Sequence, residues 1–239
     1  MQRYFVLKKD NNLFKIKGDD YHHIVNVMRL KINDKIEVVY NNIVYLSLIE
    51  KIENNIVYAS MIDIIESNSE LSIDVTIAQA LVKEDKFNYI LQKGTELGVK
   101  SFIPVAMERS IVKLDQNKAL NKLNRWQKIC KEASEQSKRI IISQVKAIKS
   151  INDLTKLDYD YKILCSVNEE VRTIKKVLQD IKINSKIIVV IGPEGGLTHL
   201  EEKKLIDNGY IRVSLGNRVL RTETASLFIM SLINYELMR

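Results

Sequence analysis

The chain predicts an α/β domain with a mainly parallel sheet, preceded by a smaller β-rich module. Three observations carry this reading. Ile187-Ile188-Val189-Val190-Ile191 is an unbroken aliphatic run that stops at Gly192-Pro193-Glu194-Gly195-Gly196-Leu197-Thr198. Such a run reads as a strand covered on both faces, as in a parallel sheet. From Ile73 onward, strand-like and helix-like stretches alternate, the pattern of stacked βαβ units. Residues 1–70 lack that alternation and are rich in short β-branched runs.

In the first module, Ile36–Tyr40 and Ile43–Ile49 flank Asn41-Asn42, a hairpin signal, and residues 56–62 form a further strand. A short helix is expected over Asp20–Met28. Together these make a small barrel-like module that ends in the polar segment Glu66-Ser67-Asn68-Ser69-Glu70. The expected domains are therefore 1–70 and 71–239. In the second, strands are expected at 73–80, 101–105, 161–165, 186–191 and 210–213, and helices at 85–97, 117–137, 169–180, 198–208 and 222–238. Thr198 with Glu201 three residues on is a capping box opening a helix. The last helix carries Leu227, Phe228, Met230, Ile233 and Leu237 on broad apolar surfaces, most of them core and the remainder a dimer interface.

Two turns stand out as ligand sites. Gly192, Gly195 and Gly196 supply freedom for positive φ and close backbone approach after the 186–191 strand. A second turn, Leu215-Gly216-Asn217-Arg218-Val219-Leu220-Arg221-Thr222-Glu223-Thr224-Ala225, follows the 210–213 strand. Open α/β sheets bind ligands at the carboxyl ends of their strands, so the two turns suggest one pocket lined by backbone. Neither turn fits G-x-G-x-x-G or G-x-x-x-x-G-K-[ST], which excludes a common dinucleotide site and a P-loop.

With 239 residues, 46% of them hydrophobic, the chain can bury a proper core. No apolar run approaches the ~20 residues of a membrane span, and Met1–Val6 is no signal-peptide core. A cytoplasmic location is expected. Cys130 and Cys165 are far apart, which argues against a disulfide framework or a cysteine zinc site, and three histidines make a metal cluster improbable. The net charge is +7, and residues 83–149 hold 15 Lys+Arg against 7 Asp+Glu, so the excess lies in that stretch. A localised basic face suits a polyanion partner.

The ordered set Arg3-Tyr4-Phe5, His22-His23-Ile24-Val25-Asn26-Val27-Met28-Arg29-Leu30, Leu91-Gln92-Lys93-Gly94-Thr95-Glu96-Leu97-Gly98-Val99, Glu108-Arg109-Ser110, Glu132-Ala133-Ser134-Glu135-Gln136-Ser137, Gly192–Gly196 and Leu220–Ala225 runs nearly end to end. On these motifs the chain resembles the RsmE family of bacterial 16S ribosomal RNA uridine N3-methyltransferases, within the SPOUT superfamily. The resemblance implies a PUA-like N-terminal β-barrel, a C-terminal α/β domain with a deep trefoil knot, a homodimer, and S-adenosylmethionine as methyl donor, without a metal or a membrane partner. Its partner would be 16S rRNA of the small ribosomal subunit. The chain departs from the family pattern at Lys138, where glycine is common, at Ser143, where proline is frequent, and at Gly94, where alanine is usual. The cofactor turns are intact. A SPOUT enzyme acting on transfer RNA or on ribose 2′-O, and a non-catalytic RNA-binding assembly module, are the rival readings.

Chemistry then assigns roles. Uridine N3 attacks a sulfonium methyl only after losing its proton, and a fixed guanidinium suits the charge that spreads onto the neighbouring oxygens. Arg221 is expected in that role, with Glu223 taking the proton or orienting the base. The cofactor would lie against Leu164, Ile191, Leu215 and Leu220, with Gly192, Gly195 and Gly216 admitting it and Glu194 and Thr222 at its rim. RNA would meet Arg109, Lys138 and Arg139 from the basic stretch, Lys93 on its helix, and Arg3, His23 and Arg29 from the first module. One of His22 and His23 should be packed, and Lys93 also has Glu96 within reach as an i,i+3 partner.

Overall fold

The structure, a computed structural model, describes residues 1–110, 112, 116–168 and 173–237, without the side chains of 116–118. The chain divides into two compact units, residues 1–70 with 134–141, and residues 71–133 with 142–239.

In the first unit the strands are β1 (Arg3–Phe5), β2 (Lys9–Asp10), β3 (Leu13–Lys17), β4 (Lys35–Tyr40), β5 (Ile43–Glu53) and β6 (Ile56–Ile65), with helix α1 (Asp19–His22) between β3 and β4. They form one curled sheet in the order β1-β4-β5-β6-β3-β2, antiparallel except for β1 with β4. Two hairpins turn on asparagine pairs. Asn41 and Asn42 have φ 50 and 61, and Asn54 and Asn55 have φ 49 and 59. Positive φ at both central residues is what a two-residue type I′ hairpin demands. Tyr4, Phe14, Ile16, Ile24, Ile36, Val38, Ile49, Val57 and Ala59 fill the core of this unit. The helix expected over 20–28 is an α turn that widens into a π turn at His23–Val27, with Met28 N–H donating to His23 C=O at 2.8 Å.

In the second unit come β7 (Asp74–Ala80), α2 (Glu84–Glu96), β8 (Ser101–Ala106), α3 (Gln116–Gln136), β9 (Gln144–Val145), β10 (Lys149–Ser150), α4 (Ile151–Leu154), β11 (Tyr161–Cys165), α5 (Ile174–Leu178), β12 (Lys186–Ile191), α6 (His199–Ile206), β13 (Ile211–Val213) and α7 (Thr222–Leu237). Residues 169–172 and 238, part of two expected helices, lie outside the described residues. The sheet order is β10-β8-β7-β12-β11-β13, with β9 also on β8, and every described pair is parallel. The aliphatic run is its middle. Ile187, Val189 and Ile191 pack with Phe87, Ile90, Trp126, Ile229 and Met230 on one face. Ile188 and Val190 pack with Leu164, Leu197, Leu205 and Tyr210 on the other. Successive residues of a strand point to opposite faces, so only a run without polar interruptions can serve two cores.

The three departures from the family pattern have local physical accounts. Lys138 sits at φ 60, where glycine is unstrained and another L-residue costs about 1–2 kcal/mol. Its ammonium contacts the Met1 carbonyl and lies 3.1 Å from Glu37. A Cβ at Gly94 would come within 2.9 Å of Phe102 Cζ, so the ring occupies the space of an alanine methyl. Ser143 is buried and donates to Val99 C=O at 2.6 Å.

Candidate functional site

The parallel register places the carboxyl ends of four strands side by side. Ile191 is level with Gln79 on one side and Cys165 on the other, and Cys165 is level with Val213. The chain leaves β12 at Gly192, and the Pro193–Gly196 turn is closed by Gly196 N–H donating to Pro193 C=O at 2.9 Å. Gly196 has φ 67, whereas Gly192 and Gly195 do not need positive φ. A Cβ at Gly192 would lie 2.7 Å from Leu197 Cδ1, so a side chain there would have to displace that methyl. Thr198 and Glu201 then form the expected capping box on α6.

The second turn, after β13, is pinned to the first. Thr222 Oγ1 donates to Gly192 C=O at 2.7 Å and accepts from Gln79 Nε2 at 2.9 Å. Ser226 Oγ, one turn along α7, donates to Gln79 Oε1 at 2.6 Å. Gln79 is fully buried, and these hydroxyls satisfy both ends of its amide. This network ties β7, the β12 turn and α7 at one point, and reading the chain in isolation missed Gln79 altogether. A glutamine set among Ile77, Ala78 and Ala80 at the end of the strand Asp74–Ala80 was the available signal.

Removing that hydroxyl is expected to be costly. Thr222→Val takes the donor from Gly192 C=O and the acceptor from Gln79 Nε2, a loss of about 1–3 kcal/mol. The urea midpoint should fall and donor affinity with it, while Thr222→Ser should keep both. An unchanged midpoint in Thr222→Val would show that the network does not hold the turns.

Three charged groups meet above this network. Lys86, in the first turn of α2, donates to Glu194 Oε1 at 2.8 Å and lies 3.6 Å from Glu223 Oε2. The hydrogen bond with Glu194 holds the Lys86 ammonium above the usual lysine range. Burial lifts the Glu194 carboxyl, and the hydrogen bond from Lys86, a main-chain hydrogen bond and the charges of Lys86 and Lys83 together outweigh it, leaving the group below the usual carboxylate range. Glu223 Oε2 is shielded from water and accepts no hydrogen bond among the described residues. Arg221, just before α7, is exposed, and no hydrogen bond or ion pair engages its guanidinium among the described residues. Glu223 is thus paired with Lys86, not with Arg221. Burial pushes the Cys165 thiol at the end of β11 up to about 12, so it stays protonated.

Of the four aliphatic residues expected around a cofactor, Leu215 and Leu220 are half-buried in the second turn. Leu164 and Ile191 are 0% and 2% exposed, and their side chains belong to opposite cores, which leaves only their main chain near the site. The reason is strand alternation at β11 and β12, both covered on two faces. Gly216, at φ 112, is exposed in the second turn.

The basic residues are placed differently from a bare polyanion face. Arg109 braces the first turn, donating to Gly195 C=O at 2.9 Å. Arg3 and Arg139 are 4% and 2% exposed. In the first unit Arg3 pairs with Glu37 at 2.8 Å, and Arg139 grips Glu70 at 2.6 Å. Lys93 pairs with Glu96 at 2.8 Å. Lys86, Lys100, Lys138 and Arg139 all pair with acids outside residues 83–149, so folding offsets much of the charge excess seen along the chain. His22 is exposed, while His23 is half-buried with Nδ1 2.9 Å from Tyr4 Oη. Arg29 is exposed at φ 56, directly after the π turn. Among the described residues no group of His, Cys, Asp and Glu is placed to hold a metal ion, and no helix is long and apolar enough to cross a membrane.

Known proteins resemble this chain along nearly its whole length. A family described as "RNA methyltransferase domain" matches residues 69–234, and one described as "RNA methyltransferase PUA domain" matches 16–62. Ribosomal RNA small subunit methyltransferase E of Bacillus subtilis is 38% identical, the match covering 99% of this chain and 97% of that protein. The protein of the same name from Mesomycoplasma hyopneumoniae is 31% identical, with 97% and 98% covered. The crystal structure of ribosomal RNA small subunit methyltransferase E from Neisseria gonorrhoeae bound to S-adenosyl methionine superposes with a TM-score of 0.87 at 28% identity, covering 98% of this chain and 97% of that one.

Proposed function

From the premise that this chain belongs to the RsmE family of ribosomal RNA small subunit methyltransferases, we propose that it transfers a methyl group from S-adenosylmethionine to N3 of a uridine in 16S rRNA. The observation that carries the reading is the pair of turns pinned by Thr222 and Gly192, with an uncommitted guanidinium and a carboxylate oxygen that accepts no hydrogen bond beside them. The residues present suit the donor. It is a cation with an apolar-edged base, and the turns offer main-chain groups, the half-buried Leu215 and Leu220, and the carboxylates of Glu194 and Glu223.

When bound, the donor supplies an electrophilic methyl group, and the broken S–C bond leaves its electron pair on sulfur. Glu223 takes the proton from uridine N3, and the electron pair left on N3 forms the new N–C bond. Arg221 stabilises the negative charge on the flanking uridine oxygens as it develops, a role that needs a donor free of other partners. The Gly192–Leu197 and Leu215–Arg221 turns orient the two reactants, which supplies most of the advantage in a reaction with one proton to manage.

The N-terminal unit is assigned to RNA, as a PUA-like module spanning 1–70 with 134–141. His23 and Arg29 are its contacts. A left-handed arginine after a π turn is an uncommon backbone feature that often marks a functional surface. Arg3 and Arg139 from inside, and Lys138 from the surface, hold the ends of that unit together, and Lys93 and Arg109 support the methyltransferase unit. The proposal extends to a trefoil knot around the two turns, to a cytoplasmic enzyme, and to a homodimer. The exposed Phe228 and Tyr235 on α7 and Tyr89 on α2 are apolar surface that such a dimer would cover.

The test is incubation with labelled donor and small ribosomal subunits lacking the modification, followed by digestion and identification of the nucleoside by mass spectrometry. N3-methyluridine at one position is the expected result. Label on another nucleoside, or on transfer RNA alone, would overturn the specificity. Donor binding without transfer to any RNA would favour a module that has lost its chemistry.

A further inference from the structure

The assignment of Glu223 as proton acceptor leaves Lys86 to be explained. It lies on α2, outside both ligand turns, yet its single ammonium faces a carboxylate from each. The two contacts differ in kind. Glu194 accepts a hydrogen bond at 2.8 Å. Glu223 Oε2, at 3.6 Å, is beyond hydrogen-bonding distance and feels the charge alone. Both side chains are shielded enough for that charge to matter, with Lys86 24% and Glu223 16% exposed.

The geometry points to Lys86 as a positioning residue for methyl transfer, one that holds the Glu223 carboxylate at the site while leaving its Oε2 uncommitted for the uridine N3 proton. This rests on the proposed function above. A direct hydrogen bond to Oε2 would occupy the lone pair that has to accept the proton. A charge held off by Glu194 orients the carboxylate without occupying it. Glu194 is therefore the tether that sets the distance, and Lys86 acts through Glu223. The other charged groups facing this cluster are Arg221, whose like charge repels that of Lys86, and Lys83 beside Glu194. Arg221 cannot replace Lys86 in this role while its guanidinium is engaged with substrate.

The experiment is a double-mutant cycle on the full chain, using Lys86→Met, Lys86→Arg, Glu223→Gln and the Met/Gln double variant. Methylation of unmodified small subunits gives kcat and KM, calorimetry gives donor affinity, and thermal unfolding checks the fold. Lys86→Met should lower kcat about tenfold to a hundredfold, the scale of a misplaced catalytic group. Donor affinity and the KM for subunits should stay within a few-fold, and Lys86→Arg should recover most of the rate. In the Glu223→Gln background the same change should cost less than about twofold, because coupled residues are not additive. Losses that multiply in the double variant would overturn the proposal. So would a Lys86→Met variant with normal kcat and weakened donor binding, which would make Lys86 a brace for the Glu194 turn. Should Lys86→Met fail to fold, Lys86→Gln carries the same cycle. A wild-type protein that labels another nucleoside refutes the N3 assignment while the cycle still measures the coupling. One that binds donor and methylates no RNA refutes both.

Discussion

Replacing Arg221 with alanine is expected to lower kcat for uridine methylation about 10²–10³-fold, the usual effect of deleting one donor to a developing oxyanion. The structure makes this a clean experiment. Arg221 is exposed and engages no hydrogen bond or ion pair among the described residues, so its removal orphans nothing buried. Only its main chain is committed, through Ala225 N–H donating to Arg221 C=O at 2.8 Å, and alanine keeps that bond. The urea midpoint and the donor dissociation constant should therefore stay close to wild type. Lysine at 221 should recover only part of the rate, because a point charge does not reproduce a planar fork that can reach O2 or O4 beside N3. A variant whose donor binding falls as far as its kcat would place Arg221 on the cofactor, not on uridine.

The second large effect is expected from Gly195→Arg, which should abolish donor binding while leaving the fold intact. Gly195 is exposed in a turn whose φ does not require glycine, and a Cβ there meets only the Arg109 side chain, at 3.5 Å. Alanine should accordingly be tolerated. A full arginine side chain fills the space before the turn and sets a second guanidinium beside Arg109, whose Nη1 already bonds the Gly195 carbonyl. It also repels a cationic donor. A loss of at least about a hundredfold in affinity, ~2.7 kcal/mol, should be read by calorimetry. Gly195→Arg with unchanged donor binding would move the cofactor away from this turn. If donor binding is lost but RNA binding persists, the two activities reside in separable surfaces.

What could be read from the chain alone follows from how local each signal is. β12, its turn and the capping box of α6 were legible because a two-sided aliphatic run, three glycines and a Thr-x-x-Glu pair lie within fifteen or so residues. The long helices α2, α3 and α7 were legible within a residue or two for the same reason. The short strands β1, β2, β9 and β10 carry too few positions to show a period, whereas β13, equally short, was marked by the turn that follows it. Helix α4 also carries too few, although Ser150 and Asp153 close a full capping box there. Charged side chains were the weakest ground. Arg3 finds Glu37 and Arg139 finds Glu70 across 34 and 69 residues, so neither pairing has a local signature, and both arginines read as surface until the fold brings their partners together. The burial of the Leu164 and Ile191 side chains was illegible for a related reason. Proximity to a ligand turn in sequence does not decide which face of a strand a side chain takes. Lys86 was not singled out because its role depends on two carboxylates more than a hundred residues downstream.

The composition of the first unit has a consequence for the order of events as the chain is made. Its hairpins β4–β5–β6 are local and can zip as soon as they emerge from the ribosome, since contacts near in sequence form early. Yet the partners of Arg3 include the carbonyls of Lys138 and Arg139, and Glu70 collects Arg139 and the N–H groups of Ile140 and Ile141. Those residues are synthesised only after β7, α2, β8 and α3, seconds later at about 5–20 residues per second. Until then Arg3 has Glu37 but lacks the two carbonyls that complete its burial, and Glu70 lacks Arg139 and the two N–H donors. Assembly of this unit is thus gated by translation of the other one, and a fragment ending at residue 70 should form its hairpins without closing its ends.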